Sequence, residues 1–319
     1  MNKMEKLVLG TRGSKLALKQ TEEISKIIAA SHPHLQLETR IIKTTGDENQ
    51  STPLAAMGGR GLFVKQIEEA LLRHEIDIAV HSLKDLPSQI APGLQVAAVC
   101  GRQDESLAMD AWISPAGFTP EKAPYGARVG TSSLRRAAQL RQYRADLQII
   151  PLRGNVNTRL EKAKELEAIV IAVAGLKRLG LDDHITCKLP PHICLPAAGQ
   201  GALGVEIREG DTEAASIVNC LHDEDTFDTV RAERAFLRRI EGGCQVPVGA
   251  WARLEDSNRL CITGMASAES GFPFFKEDRH GLRQDAEKLG EELARVLLEA
   301  GAGETLSAER KRRQEHDWE

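Results

Sequence analysis

A cysteine in a glycine-rich loop is the first residue of this sequence that could do chemistry. Two consecutive glycines precede Cys244, and Pro247 follows it three positions later. Glycine permits unusual backbone angles and proline restricts them, so the thiol is predicted on a short rigid loop. A lone cysteine is more often a small buried hydrophobic side chain. Neighbouring cations favour a thiolate to which a group can be attached, and three arginines lie just upstream: Arg234, Arg238 and Arg239.

A second candidate is an acidic residue placed among cations. The segment Val80-His-Ser-Leu-Lys-Asp85 follows an apolar run and is closed by Pro87. His81, Lys84 and Asp85 are therefore predicted to project from a tight loop at the end of a strand. Asp85 could form a structural ion pair. It could equally remain an ionised carboxylate that stabilises a cationic intermediate or accepts hydrogen bonds from N–H groups.

Arginines and hydroxyl residues recur where predicted strands end and helices begin. The segment 130–136 combines three hydroxyl residues with two arginines. Free N–H groups and the helix dipole favour a carboxylate or phosphate at such a place. A capped helix would explain Ser133 alone, but not the further arginines that follow. Because the carboxyl ends of strands meet at one crevice, we predict an anion site there. Its other expected members are Arg12, Ser14, Arg153 and Arg159.

The charge distribution agrees with an anionic ligand. The 319 residues carry a formal net charge of −4, yet residues 128–178 contain eleven Lys or Arg and four Asp or Glu. A basic segment within an acidic protein indicates a binding site for anions. Aromatic residues make up only 4% of the chain, so stacking surfaces for nucleic acid are not expected. Small polycarboxylates or phosphates fit better.

Metal, disulfide and membrane roles are not predicted. His184, Cys187, His192 and Cys194 lie within eleven residues, but their spacing fits no standard zinc knuckle, so no metal site is expected. Six cysteines without a signal-peptide core are expected to be free thiols in a reducing compartment. The longest strongly apolar run, 168–176, is too short for a membrane span. We therefore expect a cytoplasmic protein.

Two units of alternating strands and helices must position these residues. A strand, Gly-Thr, a hydroxyl residue and a helix follow one another in both 9–17 and 129–137. This alternation predicts two similar α/β domains with mostly parallel sheets. The polar, glycine-rich stretch 45–61 is predicted to be a lid. A strand is expected at 168–174 and a helix at 158–167.

A third unit is predicted from about residue 225 onward. It contains the helix that leads into Cys244, strands near Trp251 and Leu260, and a helix over 286–300. The charged end of the chain is expected to be a flexible tail over 309–319.

Several of these segments together resemble one known family, the hydroxymethylbilane synthases, also called porphobilinogen deaminases. The resemblance covers nearly the whole chain in order, so a chance match is very improbable. Its motifs are Val80-His-Ser-Leu-Lys-Asp85, Val129-Gly-Thr-Ser-Ser-Leu-Arg-Arg136, Leu152-Arg-Gly-Asn-Val-Asn-Thr-Arg159, Ala172-Val-Ala-Gly-Leu-Lys-Arg178, Leu195-Pro-Ala-Ala-Gly-Gln-Gly-Ala202 and Glu241-Gly-Gly-Cys-Gln-Val-Pro247.

The resemblance implies a specific reaction. Cys244 would carry a dipyrromethane cofactor through a thioether, and Asp85 would stabilise the positive charge that develops as porphobilinogen loses ammonia. Four porphobilinogen units would be joined and released by hydrolysis as hydroxymethylbilane. The resemblance places these residues at the cofactor: Lys84, Thr131, Ser133, Arg135, Arg136, Gly175 and Gln200. It places these at the substrate: Arg12, Ser14, Arg153, Arg159 and Arg178.

The expected fold is two similar solute-binding-protein-like α/β domains around a cleft, plus a smaller C-terminal α+β domain. The expected boundaries are 1–103 with 199–220, then 104–198, then 221–308. Segments 100–106 and 196–201 are candidate hinges between the first two domains. A monomer is expected, without nucleic-acid or membrane partners. The alternative function is a non-catalytic two-domain anion-binding protein, in which Cys244 and Asp85 would have no chemical task.

Overall fold

The structure is a computed structural model that describes residues 4–44, 64–240 and 246–316. The strands are β1 (Lys6–Thr11), β2 (Gln36–Ile41), β3 (Ile78–Ser82), β4 (Leu94–Cys100), β5 (Asp110–Ile113), β6 (Arg128–Gly130), β7 (Gln148–Ile150), β8 (Ala168–Ala172), β9 (Cys187–Leu189), β10 (Leu203–Arg208), β11 (Val248–Leu254), β12 (Arg259–Ser267) and β13 (Phe274–Leu282). The α-helices are α1 (Lys15–Ser31), α2 (Lys65–Leu72), α3 (Leu134–Tyr143), α4 (Val156–Ala163), α5 (Val173–Arg178), α6 (Thr212–Val218), α7 (Glu224–Arg239), α8 (Ala286–Leu297) and α9 (Gly303–His316).

Two five-stranded sheets share one arrangement. The first domain has the order β2-β1-β3-β10-β4, and the second has β7-β6-β8-β5-β9. In each sheet the first three strands are parallel, and the fourth runs antiparallel to both of its neighbours. The prediction of two similar α/β domains is confirmed. The chain passes from the first domain to the second through residues 101–109 (the first crossing) and returns through 190–202 (the second crossing).

The sheets form because their central strands are continuously apolar. All five residues of β8 are buried, as are Leu7 and Leu9 on β1. A strand covered on both faces reads as an unbroken apolar run rather than as an alternating one. Because burial holds these strands in place, it also sets the positions of the polar loops that follow them.

The third domain is a three-stranded antiparallel sheet with the order β11-β12-β13. One face packs against α7 and α8 through Phe236, Ile262 and Leu293, all of which are fully buried. Successive residues of a strand point to opposite sides of the sheet, so every second residue of these strands lies on the opposite face. Strand β13 was not predicted from the sequence.

Some boundaries differ from the sequence-based expectations. The strand predicted over 168–174 ends at Ala172, where α5 begins, and the helix predicted over 158–167 is α4. The prediction of a flexible tail from residue 309 is wrong for 309–316, because α9 continues through His316. Glu309 is only 3% exposed, which shows that this helix packs against the domain. The predicted lid and Cys244 lie outside the described residues.

Within the described residues, every helix is too short or too polar to traverse a lipid bilayer.

Candidate active site

Asp85 lies at the end of a short 3₁₀ turn that continues β3. The turn, Leu83–Asp85, is anchored by the buried side chain of Leu83 and by a hydrogen bond from Leu83 N to Ala202 O (3.0 Å). Asp85 itself is exposed. Among the described residues, no group donates a hydrogen bond to its carboxylate. The turn that carries Asp85 is therefore held in place, while the Asp85 carboxylate keeps its hydrogen-bonding capacity.

Lys84 connects this turn to the second crossing. Its Nζ lies 3.3 Å from Gln200 Oε1, and Gln200 Nε2 donates to Ala108 O (2.6 Å) and to Asp110 Oδ1 (2.9 Å). Desolvation lowers the pKa of Lys84 to about 8; Asp85 opposes the shift, and Arg136 adds to it. Lys84 and Gln200, both predicted to lie at the cofactor, are thus in contact between the first two domains.

A fully buried ion-pair cluster lies behind Gln200. Asp110 Oδ2 is 2.8 Å from Arg135 Nη1, and Asp110 Oδ1 is 2.7 Å from Arg136 Nη2. Arg135 also donates to Leu195 O (2.6 Å), and Arg136 to Val170 O (3.0 Å). Burial alone would raise the pKa of Asp110, but the two guanidinium groups hold it far below its usual value.

This cluster changes the interpretation of the two arginines. The resemblance assigned Arg135 and Arg136 to the carboxylates of a cofactor, whereas the structure already pairs both with Asp110. Sequence reasoning missed Asp110 as a site residue. A charged residue that opens the buried strand Asp110–Ile113 was the available signal, because a buried charge requires partners. Arg136 retains a buried Nε without a partner among the described residues.

The hydroxyl residues of the repeated turns cap helices. Ser14 Oγ accepts from Ala17 N (3.2 Å) at the start of α1, and Ser133 Oγ accepts from Arg136 N (3.5 Å) at the start of α3. Thr131 Oγ1 accepts from Ser133 N (3.1 Å). Capping therefore accounts for Ser14 and Ser133, and a turn that leads into the cap accounts for Thr131.

Arg159 lies close to the exposed acid. Its Nε donates to Gly154 O (2.8 Å). Desolvation lowers the pKa of Arg159 to about 10; Arg136 and Arg153 contribute to this, and Asp85 opposes it. Arg12 and Arg153 are half-buried. Arg136 and Arg153 therefore lie close enough to Arg159 for their charges to act on it, and Arg159 also interacts with Asp85.

Arg178 lies at the two crossings instead. Its Nη2 donates to Gly101 O (3.1 Å) and Gly201 O (3.0 Å), and its Nε is 3.1 Å from Glu23 Oε2 on α1. In the structure its guanidinium therefore joins the first two domains, and its predicted contact with substrate stays a prediction.

The predicted cofactor residue Gly175, on α5, lies at the same boundary between the first two domains. A Cβ placed on Gly175 would lie 3.6 Å from Leu16 Cδ2 on α1.

Helix α7 links the third domain to both crossings. The carboxylate of Glu233 is fully buried; it accepts from Arg102 Nη2 (2.9 Å), Gly199 N (2.7 Å) and Ala252 N (2.8 Å). These partners belong to the first crossing, the second crossing and β11 respectively. One acid therefore holds three segments together.

The neighbouring Arg234 reaches the loop that follows Asp85. It donates to Leu86 O (3.3 Å), Pro87 O (2.6 Å) and Ser88 O (3.4 Å). We expected Arg234 and Arg238 to lower the pKa of the Cys244 thiol. In the structure Arg234 is committed to this loop, and Arg238 forms an ion pair with Glu287.

The donor set fits a ligand with several carboxylates. Lys84 and Arg159 interact electrostatically with Asp85, and Arg136 acts on both of these cations. One buried guanidinium nitrogen of Arg136 has no partner among the described residues. Arginine forks bind carboxylates in a bidentate manner. Further carboxylates would relieve the mutual repulsion of these cations.

Comparisons with known proteins match most of the chain to one family. Residues 7–216 match the family model "Porphobilinogen deaminase, dipyromethane cofactor binding domain", and residues 227–299 match "Porphobilinogen deaminase, C-terminal domain". The chain is 45% identical to a porphobilinogen deaminase of Syntrophobacter fumaroxidans, covering 93% of this chain and 96% of the relative. It is 46% identical to that of Desulforudis audaxviator, covering 94% and 97% respectively. Among solved structures, the methionine-binding protein MetQ is similar at 13% identity, with a TM-score of 0.43 over 70% of this chain and 93% of MetQ.

Proposed function

Since this chain belongs to the porphobilinogen deaminase family, we propose that Asp85 is the carboxylate with which it deaminates porphobilinogen. The family relationship supports the synthesis of hydroxymethylbilane on a dipyrromethane cofactor, rather than non-catalytic anion binding. In each condensation, the aminomethyl carbon of porphobilinogen loses ammonia and bonds to the free α-carbon of the growing chain. Water finally releases the tetrapyrrole. The reaction class is therefore group transfer.

The exposed state of Asp85 is the observation that supports its assignment. A carboxylate that keeps its acceptor sites can bind a pyrrole N–H and stabilise the positive charge that develops as ammonia leaves. Lys84 and Arg159 interact electrostatically with Asp85, so cations lie beside the proposed catalytic carboxylate. The turn beneath it is anchored by Leu83, so the acid is positioned before substrate arrives.

The cofactor supplies a permanent primer onto which the substrate units are added. We assign its covalent attachment to Cys244. Its carboxylates are assigned to Lys84, Ser133, Arg135 and Arg136, with Thr131, Gly175 and Gln200 as neighbours. Arg135 and Arg136 would then bind carboxylates with the N–H groups that Asp110 leaves available, since each guanidinium has five such groups.

Substrate carboxylates are assigned to Arg12, Ser14, Arg153 and Arg159. Porphobilinogen carries two carboxylates, so negative charge accumulates with each addition, and several arginines are required to neutralise it. Arg178 is assigned to the crossings, because Gly101, Gly201 and Glu23 already engage its guanidinium.

Intact mass tests the cofactor assignment. The purified chain should be heavier than its sequence by one dipyrromethane unit, and Cys244→Ser should lose that increment together with tetrapyrrole synthesis. Cys220→Ser is the matched control, because Cys220 is an exposed free thiol elsewhere. An unmodified mass in an active preparation would contradict the proposal. Retention of the adduct in Cys244→Ser would place the attachment on another residue.

Three further properties are proposed with the reaction: a cytoplasmic location, a monomeric state and no nucleic-acid partner. Light scattering of the purified protein should give the mass of one chain, 34.9 kDa plus the cofactor. Binding to an oligonucleotide that weakens steeply with salt would contradict the last of these proposals.

A further inference from the structure

The face of the third-domain sheet that points away from α7 and α8 carries a thiol, an imidazole and a carboxylate. Cys261 on β12 lies directly across from His280 on β13. Glu255 lies in the hairpin that joins β11 to β12, where its N–H donates to Arg259 O (2.9 Å). Strand pairing and the hairpin fix all three backbones, so the cluster does not depend on a long loop.

The distances bring the three donor groups within reach of one small ion. Cys261 Sγ lies 3.8 Å from His280 Nε2, and His280 Nδ1 lies 2.8 Å from Glu255 Oε1. One ligand atom from each residue falls within 4.8 Å of the others. Among the described residues, no other group of three such side chains comes this close.

We propose that Cys261 and His280 bind a thiophilic divalent cation such as Zn²⁺, and that Glu255 orients the imidazole. Thiolate sulfur and imidazole nitrogen are the ligands that zinc prefers. With Zn–S and Zn–N bonds of ordinary length at a tetrahedral angle, sulfur and nitrogen lie about 3.6 Å apart, close to the separation seen here. A carboxylate that accepts Nδ1–H leaves Nε2 free for the metal, as in many zinc sites. On binding, the Cys261 thiol loses its proton to solvent as the sulfur–metal bond forms.

Access and charge favour an ion over a larger reactant. Cys261 is 1% exposed, whereas the His280 side chain is 48% exposed, so a cation can enter from the imidazole side while an organic substrate cannot reach the sulfur. Asp278 adds negative charge on the same face. Two cations border the site: Arg253 lies across from Cys261 on β11 and is stacked over Trp251 (5.3 Å), and Arg259 Nε lies 3.8 Å from Glu255 Oε2.

Titration with Co²⁺ tests the site in the full-length protein with its cofactor attached. Cobalt bound to a thiolate absorbs strongly in the near ultraviolet, so the band reports a Cys–metal bond directly. We expect one Co²⁺ per chain, displaced by one Zn²⁺. The band should disappear in Cys261→Ala and in His280→Ala. Glu255→Gln should weaken binding by about 10–100-fold, and the exposed cysteine variant Cys220→Ser should bind normally.

His280→Ala keeps the test decisive, because an exposed side chain can be truncated without opening a cavity. The absence of a cobalt band in the unaltered protein would overturn the proposal. So would retention of the band in His280→Ala, or its loss in Cys220→Ser. Alkylation of Cys261 in the metal-free protein faster than that of Cys220 would assign the cluster to an activated thiol instead. Loss of tetrapyrrole synthesis has no bearing on this outcome, because binding is measured by the band.

Discussion

The first two domains share a strand order, yet the acid that each places near Lys84 is exposed in the first domain and buried in the second. In the first domain, the third strand of the sheet leads into the turn that exposes Asp85. In the second, the corresponding strand β8 leads into the apolar start of α5, and the acid is Asp110 on the antiparallel strand β5. The corresponding strand of the first domain, β10, begins with the apolar Leu203.

Burial explains what this difference does. Asp110 is fully buried, so its charge can be maintained only by the two guanidinium groups that it in turn holds in place. Asp85 is exposed, so water can solvate its carboxylate. One fold therefore supports a carboxylate that organises cations and another that remains available to a ligand.

Asp110→Asn should give the largest effect. Removing one partner of a buried ion pair leaves uncompensated charge and costs about 3–5 kcal/mol of unfolding free energy. Urea unfolding measures this loss. A change in unfolding free energy of less than about 0.5 kcal/mol, as for an ordinary surface substitution, would contradict the proposed difference between the two acids.

Asp85→Asn should show the reverse pattern. Loss of a positioned charge should lower turnover about 10²–10³-fold, while stability and the attached cofactor mass should not change. Asp183→Asn is the control, because Asp183 is also exposed but lies in the second domain away from the crossings. Near-normal tetrapyrrole release by Asp85→Asn would show that the wrong carboxylate was assigned.

Arg178→Lys tests how the two domains are joined. Lysine cannot reproduce contacts to two carbonyl groups and a carboxylate, and lost hydrogen bonds to a charged group cost about 1.5–3 kcal/mol. We expect a lower unfolding free energy and faster amide exchange around Gly101 and Gly201. Glu23→Gln removes only a partly exposed ion pair and should cost at most about 1 kcal/mol. Equal effects of the two variants would mean that the carbonyl contacts contribute little.

The last prediction concerns the pKa of Lys84, which burial lowers, whereas the pKa of Arg135 is raised although burial opposes it. With a folded pKa of about 8 against the ordinary lysine value of 10.5, the unfolded chain binds more protons than the folded chain between these two pH values. Lys84 therefore destabilises the folded state at neutral pH, and stability should rise with pH across this window. We expect this rise in the cofactor-free Cys244→Ser protein. When Lys84→Met is added to the same protein, thermal unfolding should no longer show this rise of stability with pH. Identical pH profiles of the two proteins would contradict the prediction.

The sequence was sufficient for the elements with strong local signals. Ser14 and Ser133 are the caps of the helices predicted after them, and the apolar run at 168–172 is a buried strand. Strand β13 was missed because its exposed residues, including Glu277 and Asp278, hide the alternation expected of a strand.

The pairings within the site depend on distant parts of the chain. Asp110 is 26 residues from Arg136, and Arg234 is 148 residues from Leu86, so no local pattern connects them. The family resemblance pointed to these cations as a group, but it could not show which of them the protein itself already neutralises. That distinction depends on burial and distance, which only the folded chain supplies.

Glu233 gives the molecule a pivot. Both crossings and β11 are fastened to this one carboxylate, and removing a partner from a buried ion pair costs about 3–5 kcal/mol. If the two α/β domains rotate as pyrroles are added, a rotation that keeps the contacts of Glu233 costs less free energy than one that breaks them. Helix α7, which carries Glu233 and leads toward residue 244, would then stay near the axis of the motion. The third domain, to which this helix belongs, would then keep its place while the two α/β domains turn.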